Sequence, residues 1–521
     1  MFTWPTILVF AAVISGGPIT VAKVQMSPLA VPSLRTRPPL TADQKTHILK
    51  LIARLAEVDR PDVGYSQTLS GSAFLPVPGQ VHELAWTLTH HGLDTSQSLR
   101  DLVALGPDSL PFLLDSLGDK TPTKLTFEHG GADASPIGMG CTWLSDELPR
   151  GNDLNPREAR VPATLECRGK HGDHVQTYVV KVGDLCLVAI GQIVGRPYMA
   201  ARYQMTSCTV INSPVEDADL RGRVRKIWAS GDPTQTLYDS LWTDYRTTGV
   251  PQGPDLTGWN YGSRFQRSAA LRLLYYFPEE AAPVLVARLA KLDVTKAEEG
   301  KVAFNRQGVA NGGIYADELI PAVSWCKRPE VREAVRGIFR RTTEAHYFSK
   351  AVAAFDEAER DVIVKKADEL LAVLTLDERK DGVQYLLLEV ASDRAGSASA
   401  PLFRGQIGKS DPVSLGSMAG VLGRAKGDWP VELLRPLLDD QRQTDRVYYV
   451  RTKNWKPPVP TPLRIGGQDD GYEKVPVRVC DAAAEAMGEI LPATAGKFPD
   501  EPDRTTVDQY VSRLKQKLPS K

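Results

Sequence analysis

The stretch DLVALGPDSLPFLLDSLGD, residues 101–119, sets the architecture of the chain. Leu99 and Leu102 close a short helix, Gly106-Pro107-Asp108 turns the backbone, and Pro111, Leu113 and Leu117 mark a second helix. The pattern returns farther on. Leu271, Leu274, Pro283, Leu285 and Leu289 stand in the same register, with Phe277 opposite Leu105. A second pair of segments matches more closely. Val180, Val182, Asp184, Ala189, Gly191 and Ile193 recur in step as Val477, Val479, Asp481, Ala486, Gly488 and Ile490, with Ile190 answered by Met487. Both read as helices with a small-residue face, on which Ala and Gly admit a close neighbour while the aliphatic positions supply burial. One such helix pair cannot bury its apolar stripe alone, whereas stacked pairs share a continuous core.

Further units are expected at Glu330–Arg341, Val383–Val390, Pro412–Leu422 and Val431–Leu438, with a last helix over Val507–Leu518. The first helix is marked by a capping box at Thr41-Ala42-Asp43-Gln44, followed by Ile48, Leu51, Ile52, Leu55 and Val58. The strings from Asp101 and from Val477 (VRVCDAAAEAMGEI) resemble the HEAT family of α-helical repeats, in which a helix, a Gly/Pro turn and a Val-Arg-led, Ala-rich helix form the unit. That resemblance covers three or four units. It implies a mostly α fold: an α-solenoid of HEAT-like helix pairs with long loop or β-hairpin insertions. HEAT arrays share no catalytic residues, so the resemblance assigns no site residue.

The composition fits a folded chain. There are 63 Lys+Arg against 63 Asp+Glu, hence no net charge to draw in nucleic acid or anionic lipid. The 42 Gly and 38 Pro among 521 residues stay below the roughly 25–30% that marks low complexity. At the amino terminus the apolar run Ile7–Ile14 is broken by Gly16, Gly17 and Pro18, and Thr20-Val21-Ala22 offers small residues for a cut after Ala22. This is the layout of a secretory signal peptide. The run is too short to span a bilayer, which takes ~20 apolar residues. The expected location is therefore secreted or periplasmic, in a bacterial cell envelope. The expected order is a signal peptide (1–22), a Pro-rich linker (23–40), helical repeats (41–120), an irregular insertion with a possible hairpin (121–178), helical repeats (179–247), a loop (248–262), central repeats (263–446), a Pro/Gly-rich insertion (447–475) and C-terminal helices (476–521). In the first insertion Val161–Arg168 and Val175–Val182 flank a polar GKHGDH turn and read as a hairpin.

The chemistry-bearing residues are few. Export would permit disulfides among Cys141, Cys167, Cys186, Cys208, Cys326 and Cys480, and Cys141–Cys167 is the favoured bridge. Cys186, Cys326 and Cys480 fall in helix-like segments and read as small buried hydrophobes. Cys167, His171 and His174, with His129 and Cys141 upstream, offer thiolate and imidazole at close range, but in no standard zinc spacing. His82-Glu83 lacks the second histidine of a zinc-protease helix, since Trp86 stands there. Gly405–Ser410 (GQIGKS) lacks the first glycine of a phosphate loop, the position being Phe403. Ser512 and Lys515 have a serine–lysine spacing in a charged terminal helix. Trp228, Tyr238, Trp242 and Tyr245 repeat at near-helical spacing and read as packing between units. No catalytic, cofactor-binding or metal residue is assigned and no cofactor is expected. The expected function is a non-catalytic scaffold for a protein or peptide partner, with no nucleic acid and no membrane span. The alternative is a metal-dependent enzyme with its site in the 121–178 insertion.

Overall fold

A computed structural model of the chain describes residues 29–59, 74–77, 96–128, 141–144, 177–196, 198, 200–203, 208–211, 213–246, 262–295, 316–375, 382–451, 472–500 and 502–518. The protein is mostly α-helical. Its described residues divide into two compact units, one of Gly17–Asp293 with Glu298–Val335, the other of Arg336–Lys521 with Val294–Ala297.

In the first unit, residues 29–40 run without regular secondary structure into α1 (Ala42–Arg54). The capping box forms as expected. The Thr41 hydroxyl accepts from the Gln44 N–H at 3.3 Å, and the Thr41 N–H donates to Gln44 Oε1 at 2.8 Å. Ile48, Leu51, Ile52, Leu55 and Val58 are buried. The quoted stretch becomes α2 (Gln97–Leu105) and α3 (Leu110–Asp115), joined by a 3-10 turn over Gly106–Asp108 and followed by another over Ser116–Gly118. Leu99, Leu102, Leu110, Leu113 and Leu117 are fully buried. Gly106 has φ +57°, and a Cβ there would lie 2.3 Å from the Tyr276 ring. Both the backbone and the close packing therefore require glycine.

Then come β1 (Pro122–Glu128), β2 (Cys141–Leu144), β3 (Thr177–Lys181), α4 (Val182–Val194), β4 (Ala201–Tyr203) and β5 (Cys208–Ile211). β1 pairs antiparallel with β3. β5 lies between β2, parallel with Cys141 opposite Cys208, and the antiparallel β4. Every residue of α4 is buried. The unit continues through α5 (Ala218–Trp228), α6 (Pro233–Arg246), α7 (Gly262–Tyr276), α8 (Pro278–Ala290), α9 (Ala316–Val323) and the start of α10 (Pro329–Arg341). α7 packs on α6, α8 and α9. Trp228, Tyr238, Trp242 and Tyr245 are all buried, and Tyr238 meets Phe277 edge-on at 4.9 Å between ring centroids. Their helical spacing thus reports core packing. The core also holds charge. Arg196 grips Asp244 through two hydrogen bonds of 2.7 and 3.0 Å. Arg272, fully buried, donates to Gln192 O and Ser268 Oγ, each at 2.6 Å, and stacks over Phe74. Burial lowers its pKa to about 10.

The second unit contains α11 (Ala345–Ala351), α12 (Arg360–Val373), α13 (Val383–Ala395), α14 (Ala400–Ile407), α15 (Pro412–Gly423), α16 (Pro430–Leu434), β6 (Gln443–Arg451), β7 (Tyr472–Arg478), α17 (Val479–Ile490), α18 (Pro492–Ala495) and α19 (Arg504–Lys517). The Thr342 and Thr343 hydroxyls donate to Val294 O and Thr295 O, each at 2.9 Å, which ties Val294 and Thr295 to this unit. Successive helices pack α11 on α13, α12 on α13, α13 on α15, α15 on α17 and α17 on α19. On the last pair the small-residue face acts as expected: a Cβ on Gly488 would lie 2.5 Å from the Tyr510 hydroxyl.

Two expectations need correction, and a third is met in part. Val180 and Val477 end strands, so the repeated Val-x-Val-x-Asp string spans a strand–helix joint instead of lying within a helix. The expected strand at Val175–Val182 is present as Thr177–Lys181 and pairs with Pro122–Glu128, while residues 161–168 lie outside the described residues. Alternation marks a strand locally, but the partner is chosen by packing across the chain. Cys326 sits in the turn after α9, not in a helix.

Candidate functional site

The two strand–helix joints share one backbone plan. In the first, Asp119 ends the 3-10 turn after α3, and its carboxylate accepts from Thr121 N at 2.9 Å. Asp119 O and Thr121 O then accept from Gly183 N at 3.0 Å and Val182 N at 2.9 Å. In the second, Asp440 follows the turn after α16 and accepts from Arg442 N at 3.0 Å. Asp440 O and Arg442 O accept from Cys480 N at 2.9 Å and Val479 N at 3.0 Å. These bonds satisfy the first N–H groups of α4 and α17, which have no partner inside their own helices.

The ribbons agree as well. In the first, the register breaks between Pro122↔Lys181 and Thr126↔Val179; in the second, between Gln443↔Arg478 and Val447↔Pro476. Each bulge sits one step from the helix, where it bends the ribbon and sharpens its twist. Beyond the bulges the strands lead into 129–176 and 452–471, of which only 141–144 is described.

A fully buried aspartate, third in its helix, anchors each joint. Asp184 Oδ2 accepts from Lys181 N at 2.9 Å and from the Tyr178 hydroxyl at 2.7 Å, while Oδ1 accepts from the Ser213 hydroxyl at 2.5 Å. Burial pushes its carboxyl above the ordinary range, against the pull of these three donors. Asp481 Oδ2 accepts from Arg478 N at 2.8 Å and from Arg504 at 2.8 Å; Oδ1 accepts from the Arg478 guanidinium at 2.7 Å. Burial raises this carboxyl too, but the two guanidiniums and the backbone donor prevail and hold it below the ordinary range.

The outer surface of the second ribbon carries a contact set. Tyr449 is 50% exposed, with the Lys474 ammonium 5.7 Å from its ring centroid. Tyr448 faces inward, where its hydroxyl meets Glu485 at 3.3 Å and Arg446 meets the same carboxylate at 3.0 Å. The second unit also has an open groove of about 360 Å³ lined by Ser349, Val352, Glu389, Ser392, Arg424 and Lys426. Its rim charges are mutually paired, Arg424 with Glu389 at 2.9 Å and Lys426 with Asp393 at 4.0 Å.

Compared with known families, curated proteins and solved structures, the chain matches none.

The residues singled out in the sequence fare unevenly. Cys167, His171, His174 and His129 lie outside the described residues, as do His82, Glu83 and Trp86; Cys141 opens β2. Among the described residues no group of three or more His, Cys, Asp or Glu side chains could hold a metal ion. Cys186, Cys326 and Cys480 are free and buried. Burial keeps these thiols protonated, raising that of Cys480 to about 12. Gly405–Ser410 spans the end of α14 and the turn before Asp411 caps α15, so it forms no phosphate cradle. Lys515 is engaged by Asp439 at 2.7 Å. Among the described residues no helix is long and apolar enough to cross a membrane. Sequence reading matched Asp184 to Asp481 but missed their partners Ser213 and Arg504, which come from separate elements and leave no local signal.

Proposed function

We propose that the protein is an exported, non-catalytic scaffold built from HEAT-like helix pairs, and that it holds a protein or peptide partner through segments carried on its two β-ribbons. The observation that carries this reading is the duplicated joint: the same two backbone hydrogen bonds, the same register break and a buried aspartate at the same helix position. A rigid joint under a long excursion of chain is how folds present recognition loops, and excursions beyond ~15 residues are commonly functional. Export is proposed on the Ile7–Ile14 run and the Thr20-Val21-Ala22 site.

Photo-crosslinking tests the recognition step. A benzophenone side chain at Tyr449 in the full chain is expected to crosslink one discrete partner in native envelope extract, and Lys474→Glu is expected to abolish the product. The same label at Val373, 68% exposed on α12, is expected to give none. Equal labelling from both positions, or a product that survives Lys474→Glu, would refute recognition at the ribbon. Amino-terminal sequencing of the native protein tests export, with Lys23 as the expected first residue.

A further inference from the structure

The stretch preceding α1 does more than connect. Residues 29–40, LAVPSLRTRPPL, carry two arginines, three prolines and no acidic residue. In the first unit they lie over α6 and the α7–α8 corner. The Tyr238 hydroxyl donates to Pro32 O at 2.7 Å, and the Arg35 N–H donates to Glu280 Oε1 at 3.0 Å. The Arg35 guanidinium is 3.7 Å from Glu279. Arg37 stacks over the Phe277 ring at 4.9 Å and donates to Tyr276 O, the last carbonyl of α7. Asp108 supplies a further negative charge facing Arg37.

These contacts read an extended peptide in two ways. A carbonyl and an N–H three residues apart are met by fixed side chains, and three residues is the repeat of the polyproline II helix. The guanidiniums meet one aromatic face, one helix C-terminus and a set of carboxylates, where cations are favoured. Aromatic side chains beside acidic ones recur in grooves that take Pro-rich ligands. The occupant is lightly held: the Arg35 side chain is 70% exposed, so its ion pair is weak and screened by salt.

We propose that this face, built from Tyr238, Tyr276, Phe277, Glu279, Glu280 and Asp108, is a recognition site for an extended peptide rich in arginine and proline, and that residues 29–40 are its tethered, exchangeable occupant. The proposal does not depend on the ribbon reading.

Fluorescence anisotropy with a labelled LAVPSLRTRPPL peptide tests it on the full chain. The native chain is expected to bind weakly, because the tethered copy competes at an effective concentration on the order of millimolar. The chain carrying Arg35→Glu and Arg37→Glu, whose new charges are repelled by Glu279, Glu280 and Asp108, is expected to bind at least about tenfold tighter. Adding Tyr238→Phe, which removes only the donor to Pro32, or Glu280→Gln is expected to reverse that gain. Both arginines are exposed, and circular dichroism checks that each variant is folded. The proposal is overturned if the double variant binds no tighter than the native chain. It is equally overturned if a scrambled peptide of the same composition binds as well, or if binding survives Tyr238→Phe together with Glu280→Gln.

Discussion

Asp184 and Asp481 occupy equivalent places and are stabilised by opposite means. Each is the third residue of a helix, fully buried, and each accepts from the backbone N–H where its strand ends. Asp184 finishes its shell with two neutral hydroxyls; Asp481 finishes its shell with two guanidiniums. The backbone plan thus needs an acceptor at that position, while its charge is left to the surroundings. Where the side-chain donors are neutral hydroxyls, burial dominates and holds the carboxyl above the ordinary range; where two guanidiniums donate, they hold it below.

The sharpest way to break the comparison is to delete each anchor's charge. Asp481→Asn leaves Arg504 without its counter-ion and Arg478 with Asp508 alone, both beside a buried amide, and it is expected to cost about 3 kcal/mol. Hydrogen exchange should show lost protection through Tyr472–Ile490. Asp184→Asn keeps one carbonyl to accept from Lys181 N and the Tyr178 hydroxyl, and its amide meets the Ser213 hydroxyl, which can turn to accept. It is expected to cost about 1 kcal/mol, read from the denaturant midpoint of the first unit's exchange. Equal costs at the two sites would refute the electrostatic contrast.

Acid should separate the units in the same sense. Asp481 is depressed in the folded state, so its stabilising contribution is complete above the ordinary value of 3.8 and is lost as pH falls through its lower folded value. Asp184 is raised, so its contribution is complete below 3.8 and is lost as pH rises through its higher folded value. Exchange-resolved stability measured across the acid range is expected to fall at the second joint and hold at the first. Asp184→Asn should remove the first joint's share of the pH dependence, and an unchanged profile would count against the raised carboxyl. The smallest effect is expected from Ser213→Ala, about 0.5–1 kcal/mol, because Tyr178 and Lys181 still donate to Asp184. Its check is again the denaturant midpoint of the first unit.

Much of this was legible in the residues themselves. Thr41 and Gln44 announced a cap, the leucines from Leu99 to Leu117 announced two short helices, and the Val-x-Val-x-Asp match picked out both joints. What stayed hidden were relations at a distance. The ribbon partner of Thr177–Lys181 is Pro122–Glu128, with a long insertion between them. Tyr238 reads in the sequence as a packing aromatic, yet Pro32 and Arg37 from the stretch before α1 find their contacts at Tyr238 and Phe277. Cys141 and Cys208 stand opposite each other across β2 and β5 although they are far apart in the chain.

By itself the sequence determined which segments wind into helices, where several of them start, and that two distant stretches follow one pattern, because periodicity and capping act over a few neighbouring residues. Only the tertiary structure decided which strands pair and which donors reach each aspartate. Ser213 stands 29 residues from Asp184, and Arg504 stands 23 from Asp481. A charge's partner at such a separation is fixed by how whole elements pack, and packing is a property of the assembled core.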